Sequence, residues 1–595
     1  MILVFGGTTE GRQAAEVLEA AANTYYYSTK TGEQQLTLHH GIRVDGAMDA
    51  EAMTAFISKH GIRLIVDAAH PFASQLHQTI ASVASPLKIP VIRYERIYPP
   101  REQDITWIDD YSELSSLLPS SREGLGAGFT LLATTGVQSI SRLKWLEEQG
   151  VKVVYRILNR ESSITLAHEQ GVSDERLCFY PATVKADAIL MKESGLSGGF
   201  AEKVEEARKL GMRIIVIKRP LLHFKHCVNG PHGLRRDIER LLPEFFPLHS
   251  GLTTGTCATA AAVAAVRRLL YGETPEEVPV IMPNGETISV SVGYGEGYAY
   301  CIKEAGDDPD VTDGIEVRAH PRPLPKGGGT IVIEGGEGVG RFTLPGFDYA
   351  PGEPAINRGP REMIEKNLMP LLMDSQLPSL GEGMGVGFSV PHGEEIARRT
   401  FNPRLGICGG ISIIGVSGIV KPFSEEAFID SIRKCMEVAK ASGSERVVIN
   451  SGGKSERFVK AMYPELPQQA FVEYGNYIGE TLKMAHELDI KQVTLGVMLG
   501  KAVKLAAGHL DTHSRKTVMD KAFVQQMLHE SGISIDISDM TLARELWERI
   551  AEDGRTTFAR TVIRHCQEHC APLLPNGKLL VLLIDDNGRI YWNEE

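Results

Sequence analysis

The chain has little cysteine and tryptophan, 8 and 4 of 595 residues, and no apolar run approaches the roughly 20 residues a membrane-spanning helix requires. So few scattered cysteines give no disulfide framework, and they read as reduced thiols in small buried positions. The opening segment is a short apolar strand, Met1 to Phe5, ending at Gly6, without the basic and long apolar regions of a secretion signal. A cytoplasmic protein with no membrane partner is expected. Positive charge is also short: 63 Lys and Arg against 75 Asp and Glu give a net charge of −12, which argues against a broad nucleic-acid surface. Anionic ligands must then be met by local clusters of Lys and Arg. A homo-oligomer is left open.

What is present is ordinary for a globular protein, 43% hydrophobic and 23% charged residues, in a chain long enough for roughly three or four compact units. Residues 1 to about 245 alternate short apolar runs with helical stretches: "MILVFGG", "GIRLIVDAAH", "PVIRYER", "FTLLATTG", "VKVVYRIL", "ADAILMKESG" and "MRIIVIKRP". Each reads as a buried parallel strand running into a Gly, Ser or Pro loop, the α/β pattern. A Ser- and Gly-rich stretch near residue 125 divides this half into two Rossmann-like parallel sheets. Two prolines within "ERLLPEFFPLHSG" mark a seam near residue 247, beyond which Gly-rich loops and long helices follow. The expected organisation is 1–125, 126–246 and 247–595, the last an α+β region.

"MILVFGGTTEGRQAAEVLEA" carries the first chemical signal. Gly6 and Gly7 let backbone approach a ligand, and a helix begins at Thr8 or Thr9, with Arg12 in its first turns, so amide donors and the helix dipole face a bound anion. The alternative is a tight turn with a hydroxyl cap. Where an NAD-binding fold places an acid after the second strand, this chain has "YYYSTKTG". Ser28 and Lys30 suit a ribose phosphate, which favours NADPH over NADH, although Lys30 also reads as a solvated loop residue.

"GGTTEGR", "VDAAHPFA", "RYER", "KESG" and "KRP", in that order and spacing, resemble the precorrin-6A reductase family of corrin biosynthesis over residues 1 to about 240. The resemblance implies a nicotinamide-dependent hydride transfer to a macrocycle carbon, with the hydride supplied by the cofactor. His70, Lys192 and Ser194 would line the strand ends, for substrate contact and proton supply.

"HSGLTTGTCATAAAVAAV" begins the second half: a Ser/Thr/Gly loop before a helix of small side chains. On its own it is a capped, buried helix. With "KEAGDDPDVTDG", "IEGGEGVGRFTLPG", "GEPAINRGPREMI", "SVPHGEEIARRTFNPRLGICGGISIIGVSGIVKPFS" and "GKAVKLAAGHLDTHS" it resembles the cobalt-precorrin-5B C1-methyltransferase family, which uses S-adenosylmethionine. Thr253, Thr254, Gly255 and Thr256 then read as a ligand cradle. Gly335, Gly336, Gly338, Gly409 and Gly410 are candidates to hold the methyl donor, because glycines let a flat or charged ligand reach the backbone. Arg404, Lys501 and Lys504, with Arg358, Arg361, Arg399 and Arg515, are candidates for the macrocycle carboxylates. Asp307 and Asp308, close to Asp310, read as candidates for donor contact or proton removal, or as a solvated turn around Pro309. "RHCQEHC" places His565, Cys566, His569 and Cys570 at helical spacing; without a matching second pair it reads as a structural helix, and no metal site is expected.

The two resemblances imply consecutive steps: methylation of cobalt-precorrin-5B at C1, then reduction of cobalt-precorrin-6A to 6B. The competing readings are a non-catalytic tetrapyrrole carrier, and a dehydrogenase of another substrate joined to an unrelated transferase.

Overall fold

The computed structural model describes residues 1–30, 32, 34–118, 128–221, 223–324, 330–374, 383–513 and 516–593. The expected division at residue 125 lies outside them, as does Arg515. The chain separates into two compact units, Met1–His249 with Ile281–Ser289, and Ser250–Val280 with Val290–Glu595.

The first unit holds two six-stranded sheets. Their strands are β1 (Ile2–Phe5), β2 (Tyr25–Thr29), β3 (Gly41–Asp45), β4 (Leu64–Asp67), β5 (Val91–Tyr94), β6 (Thr106–Ile108), β7 (Thr130–Ala133), β8 (Lys152–Ile157), β9 (Leu177–Phe179), β10 (Ala188–Lys192), β11 (Arg213–Ile217) and β12 (His226–Val228). The first sheet runs β12-β5-β4-β1-β2-β3 and the second β6-β11-β10-β7-β8-β9. Every pairing in both is parallel. β1 and β4 are buried at every position, which suits strands covered by helices on both faces. The helix Thr9–Glu19 follows β1, and Ala50–His60 is started by the Asp49 side chain and ended by Gly61 at φ +61.

The two expected parallel sheets are present, but the chain does not divide between them in sequence. β6 leaves the first half to pair with β11, and β12 returns from the second half to pair with β5. Val228, Leu234, Ile238, Phe245 and Phe246 consequently pack with Ile2, Val4 and Tyr25 in one core. Glu286 also belongs to this unit: it is 1% exposed and accepts from the amides of His232 and Gly233, at 3.0 Å each, at the start of the helix Pro231–Leu241.

In the second unit the helix Thr254–Tyr271 is buried at every residue from Thr254 to Val266. It packs against the strands Tyr298–Ile302 and Glu316–Pro323 and the helix Arg358–Asp374. Small side chains allow that close approach from several sides, which accounts for the Ala-rich run. A second five-stranded sheet orders Phe471–Glu473, Arg446–Asn450, Gln492–Met498, Lys578–Ile584 and Ile590–Tyr591, parallel except for the last pair. The sequence reading of a mixed α and β region did not resolve this parallel sheet. Among the described residues no helix is long and apolar enough to cross a membrane.

Candidate functional site

In the first unit, carboxyl ends of strands from both sheets carry the predicted residues. Of the glycines after β1, Gly6 is a packing residue, since a Cβ there would lie 2.2 Å from Tyr27 Cζ. Gly7 has φ +88 and open space where a Cβ would point. Thr8 caps the helix by accepting from the Gly11 amide at 2.9 Å and donates to the Ala68 carbonyl at 2.7 Å, so it holds two loops together. Thr9 and Arg12 are exposed, Ser28 is buried on β2, and Lys30 is exposed just past that strand. Gln34, which sequence reasoning missed, lies over the turn: its Oε1 accepts from the Gly7 amide at 3.2 Å and from the Tyr27 hydroxyl at 2.6 Å. Arg12 and Gln34 line an open groove of about 1370 Å³ together with Arg160, Ser162 and Thr165.

The acid inside "GGTTEGR" proves central. Glu10 is 4% exposed, pairs with Arg96 Nε at 3.1 Å and accepts from the Ser197 hydroxyl. Arg96 also donates to the Ser194 carbonyl at 2.7 Å, so the ends of β1, β5 and β10 are tied together. The Ser194 hydroxyl itself is turned to the Gly198 carbonyl at 3.1 Å. Lys192 Nζ stands 5.1 Å from the centre of the Phe72 ring, and its pKa is lowered by burial and by Arg142.

His70 is placed by a buried network that the sequence reading did not identify. Asp67, fully buried at the end of β4, accepts from His77 Nδ1 at 2.6 Å and Arg93 Nη1 at 3.0 Å. The other His77 nitrogen donates to the His70 carbonyl at 3.0 Å, and Arg93 reaches the Ala69 carbonyl at 2.9 Å. Arg93 Nη2 has no hydrogen-bond partner among the described residues. Burial, with the nearby Arg96, Lys192, Arg93 and Lys203 charges, pushes the His70 imidazole down to about 3. His70 Nδ1 accepts from the Phe72 amide at 3.2 Å, so the neutral ring carries its proton on Nε2. It is therefore a neutral hydrogen-bonding group at physiological pH, and an imidazolium acid is disfavoured there. Burial draws the Lys203 ammonium down to about 8.

In the second unit two of the strongest sequence motifs bind each other. Thr254 Oγ1 donates toward the Ser412 and Ile414 carbonyls and accepts from the Ile414 amide at 2.9 Å. Thr256 Oγ1 donates to the Gly418 carbonyl at 2.6 Å, and Thr253 caps the helix by accepting from the Thr256 amide. A Cβ on Gly255 would lie 2.8 Å from Pro360 Cγ and 3.0 Å from the Ile414 carbonyl. These hydroxyls and this glycine are thus engaged with the 412–418 segment rather than with open space. Ile414 and Val416 on that segment, and Phe423 beyond it, are exposed, and the Phe423 amide donates to Asp308 at 3.0 Å. Asp307 is exposed, while Asp310 pairs with the buried Lys303 at 2.8 Å.

The glycines expected to hold the methyl donor are mostly filled by protein. A Cβ on Gly338 would lie 1.9 Å from the Val390 carbonyl oxygen, one on Gly410 2.1 Å from that of Gly338, one on Gly335 2.5 Å from Pro354 Cβ, and one on Gly336 3.0 Å from the Phe388 oxygen. Gly409, at φ +84, alone of the five has open space. Backbone crossing backbone accounts for Gly336, Gly338 and Gly410, and the Pro354 and Val339 side chains for Gly335.

Arg404 and Lys501, by contrast, come together at the carboxyl edge of the parallel sheet, around carboxylates that the sequence reading did not single out. Arg404 lies 2.9 Å from Glu456 and 3.7 Å from Glu473. Lys501 donates to the Gly475 carbonyl, and burial lowers its pKa to about 8. Burial, with the Glu456 charge adding to it, raises the Glu473 pKa against Arg404 and Lys501. Lys504, one helical turn on from Lys501, is turned to the Thr512 carbonyl at 3.4 Å. In "RHCQEHC", Cys566 and Cys570 are buried, and His565 pairs with Glu530 at 2.9 Å. Among the described residues no group of three or more His, Cys, Asp or Glu is placed to hold a metal.

The first unit is thus of the doubly wound, Rossmann-like class, joined to a unit of mixed architecture. Residues 1–236 match the family model described as Precorrin-6x reductase CbiJ/CobK, 243–422 that of CbiD, and 511–595 that of the CbiD C-terminal domain. A cobalt-precorrin-5B C(1)-methyltransferase of Prosthecochloris aestuarii is 41% identical over 58% of this chain and 96% of its own length. A protein of the same name from a Geobacillus species is 39% identical over 54% and 88%. Of solved structures, a CobK precorrin-6A reductase is 19% identical over 40% of this chain and 97% of its own, with a TM-score of 0.33. The chain belongs to the cobalt-precorrin-5B C(1)-methyltransferase family and carries a precorrin-6x reductase domain ahead of it.

Proposed function

We propose that the chain performs two successive steps of cobalamin biosynthesis: C1-methylation of cobalt-precorrin-5B in its second unit, and reduction of the resulting cobalt-precorrin-6A to 6B in its first. The observation that carries this reading is the joining, in one chain, of parts from two enzyme families whose names share the precorrin macrocycle. The carrier and unrelated-dehydrogenase readings find no support in either part. Fusion keeps the second site at high effective concentration for the product of the first.

NADPH supplies the hydride when bound. The Gly7 turn suits it, with a positive φ, open space and the start of a helix at one point. Arg12 and Lys30, both exposed, are the cations we assign to its phosphates. Neutral His70, at the strand ends, has Nε2–H as its donor for a ligand. The Lys203 ammonium, which burial brings to about 8, donates to the Gly198 carbonyl at 3.0 Å near the same strand ends.

S-adenosylmethionine supplies the methyl group to the second unit. The exposed Ile414, Val416 and Phe423 suit the flat face of a macrocycle, with Asp308 bonded to the Phe423 amide and Arg358 and Arg361 at the start of the helix Arg358–Asp374. Anaerobic incubation with cobalt-precorrin-5B and both cofactors, followed by mass spectrometry, tests the proposal. The product gains one methylene unit when S-adenosylmethionine is present, and two further hydrogens only when NADPH is added. Reduction of cobalt-precorrin-5B without prior methylation, or binding without turnover, would overturn the order or the activity.

A further inference from the structure

Four of the five glycines first suggested for the methyl donor are packed, and the second unit contains a loop of the opposite kind. Its parallel sheet places the strand Arg446–Asn450 between Phe471–Glu473 and Gln492–Met498, with Lys578–Ile584 and Ile590–Tyr591 beyond. In chain order this is 2-1-3-4-5, an arrangement whose topological switch point lies between the first and third strands. Ligands of such sheets bind outside the carboxyl ends at that point. The first strand ends there in "NSGGKSE", with Gly452 at φ +92 and Gly453 at φ +44, and the ten-residue helix Gly453–Met462 follows. Nothing lies within 4 Å of a Cβ built on Gly453.

At the end of the second strand, about twenty residues beyond the glycine loop, stands an acid, where nucleotide-binding folds place the group that reads a ribose. Glu473 pairs in register with Asn450, directly beside the loop. A Cβ on Gly452 would lie 2.2 Å from Glu473 Oε1, so the glycine, at φ +92, lets the carboxylate lie directly against the turn. Glu473 accepts no hydrogen bond from any described residue, and its nearest cation, Arg404, is 3.7 Å away and closer to Glu456. It is thus a half-buried acceptor beside an open glycine turn.

We infer that this edge holds the adenosine part of the methyl donor, with Glu473 accepting from the ribose 2′- and 3′-hydroxyls and the Gly452–Gly453 turn admitting the chain that bears the sulfur. The inference rests on the methyltransferase reading above and gives that activity a location that the "GGEGVG" and "CGGISIIG" glycines do not.

Isothermal titration of the full chain with S-adenosylhomocysteine, and with its 2′,3′-dideoxy analogue, tests it. Glu473→Ala and Glu473→Gln should each weaken S-adenosylhomocysteine, the Ala variant by roughly 10- to 100-fold, the loss expected for hydrogen bonds to a charged group. Both should erase the wild-type preference for the ribose over the dideoxy sugar. A structural role alone would weaken the two ligands equally and leave that preference intact. A wild-type chain that binds the donor product, with both variants keeping the preference, would overturn the location while leaving methyl transfer standing. No binding by the wild type would overturn both.

Discussion

The glycines at 335–340 and 407–413 and those at 452–453 look alike in the sequence, and the fold uses them in opposite ways. Gly338 and Gly410 let one backbone cross another: the Gly340 amide donates to the Ile411 carbonyl at 2.8 Å and the Ile411 amide to the Gly338 carbonyl at 3.0 Å. Gly452 and Gly453 instead end a parallel strand at a switch point, with a carboxylate on one side and open space on the other. A glycine-rich stretch therefore marks a close approach of backbone, and only the neighbours decide whether protein or ligand does the approaching.

The sharpest way to break this comparison is to add a methyl group at each kind of site. Gly338→Ala places a Cβ 1.9 Å from a backbone oxygen at φ +70, and is expected to cost about 4 kcal/mol or more. Gly453→Ala meets nothing within 4 Å and should cost only about 1 kcal/mol, for its left-handed backbone. Thermal melts of the two variants decide; equal losses would erase the distinction.

Next in size is Gly255→Val. A cradle open to ligand would tolerate it without loss of stability, but Pro360 and the Ile414 carbonyl already touch the space it needs. Destabilisation of about 2 to 3 kcal/mol by overpacking is expected, together with loss of methylation. An unchanged melting temperature would restore the cradle reading.

Lys30→Glu carries the comparison into the first unit, where Gly7 is the open glycine. It should weaken NADPH relative to NADH by about 1 to 2 kcal/mol if a charged hydrogen bond to the ribose phosphate is lost. Competitive titration of both cofactors gives the answer, and an unchanged ratio removes Lys30 from the site.

The smallest effect concerns His70. Folding holds it near 3 against an ordinary 6.5, so the unfolded chain takes up a proton first as pH falls. Stability contributed by the neutral ring is present above 6.5 and declines as pH drops toward 3. Between pH 7 and pH 6 the change is less than about 1 kcal/mol. Denaturation of His70→Gln across this range should show a shallower pH slope than the wild type; an equal slope would place the ring in water.

Much of the first unit was legible because its strands are continuous apolar runs ending in Gly or Ser, a pattern that needs no distant contact to recognise. β1, β4 and the helix capped by Thr8 lie where "MILVFGG", "LIVDAAH" and "GTTEGR" place them. The interleaving of β6 and β12 was not, because three-residue strands carry too little periodicity to say which sheet they join. The site was half legible. Arg404 and Lys501 stand out as cations within motifs, but Glu456 and Glu473 that neutralise them lie far from Arg404 in the chain and outside the motifs.

By itself, then, the sequence determined the family of each part, the parallel sheets of the first unit and the buried Ala-rich helix of the second, since local pattern and composition suffice for these. Only tertiary structure decided that Thr254 and Thr256 spend their hydroxyls on the 412–418 backbone, that Glu10 bridges to Arg96, and that Gly338 is filled while Gly453 is open. The physical reason is common to all three. A hydroxyl, a carboxylate or a glycine has several partners it can satisfy, and the choice among them depends on which distant segment the fold brings within about 3 Å.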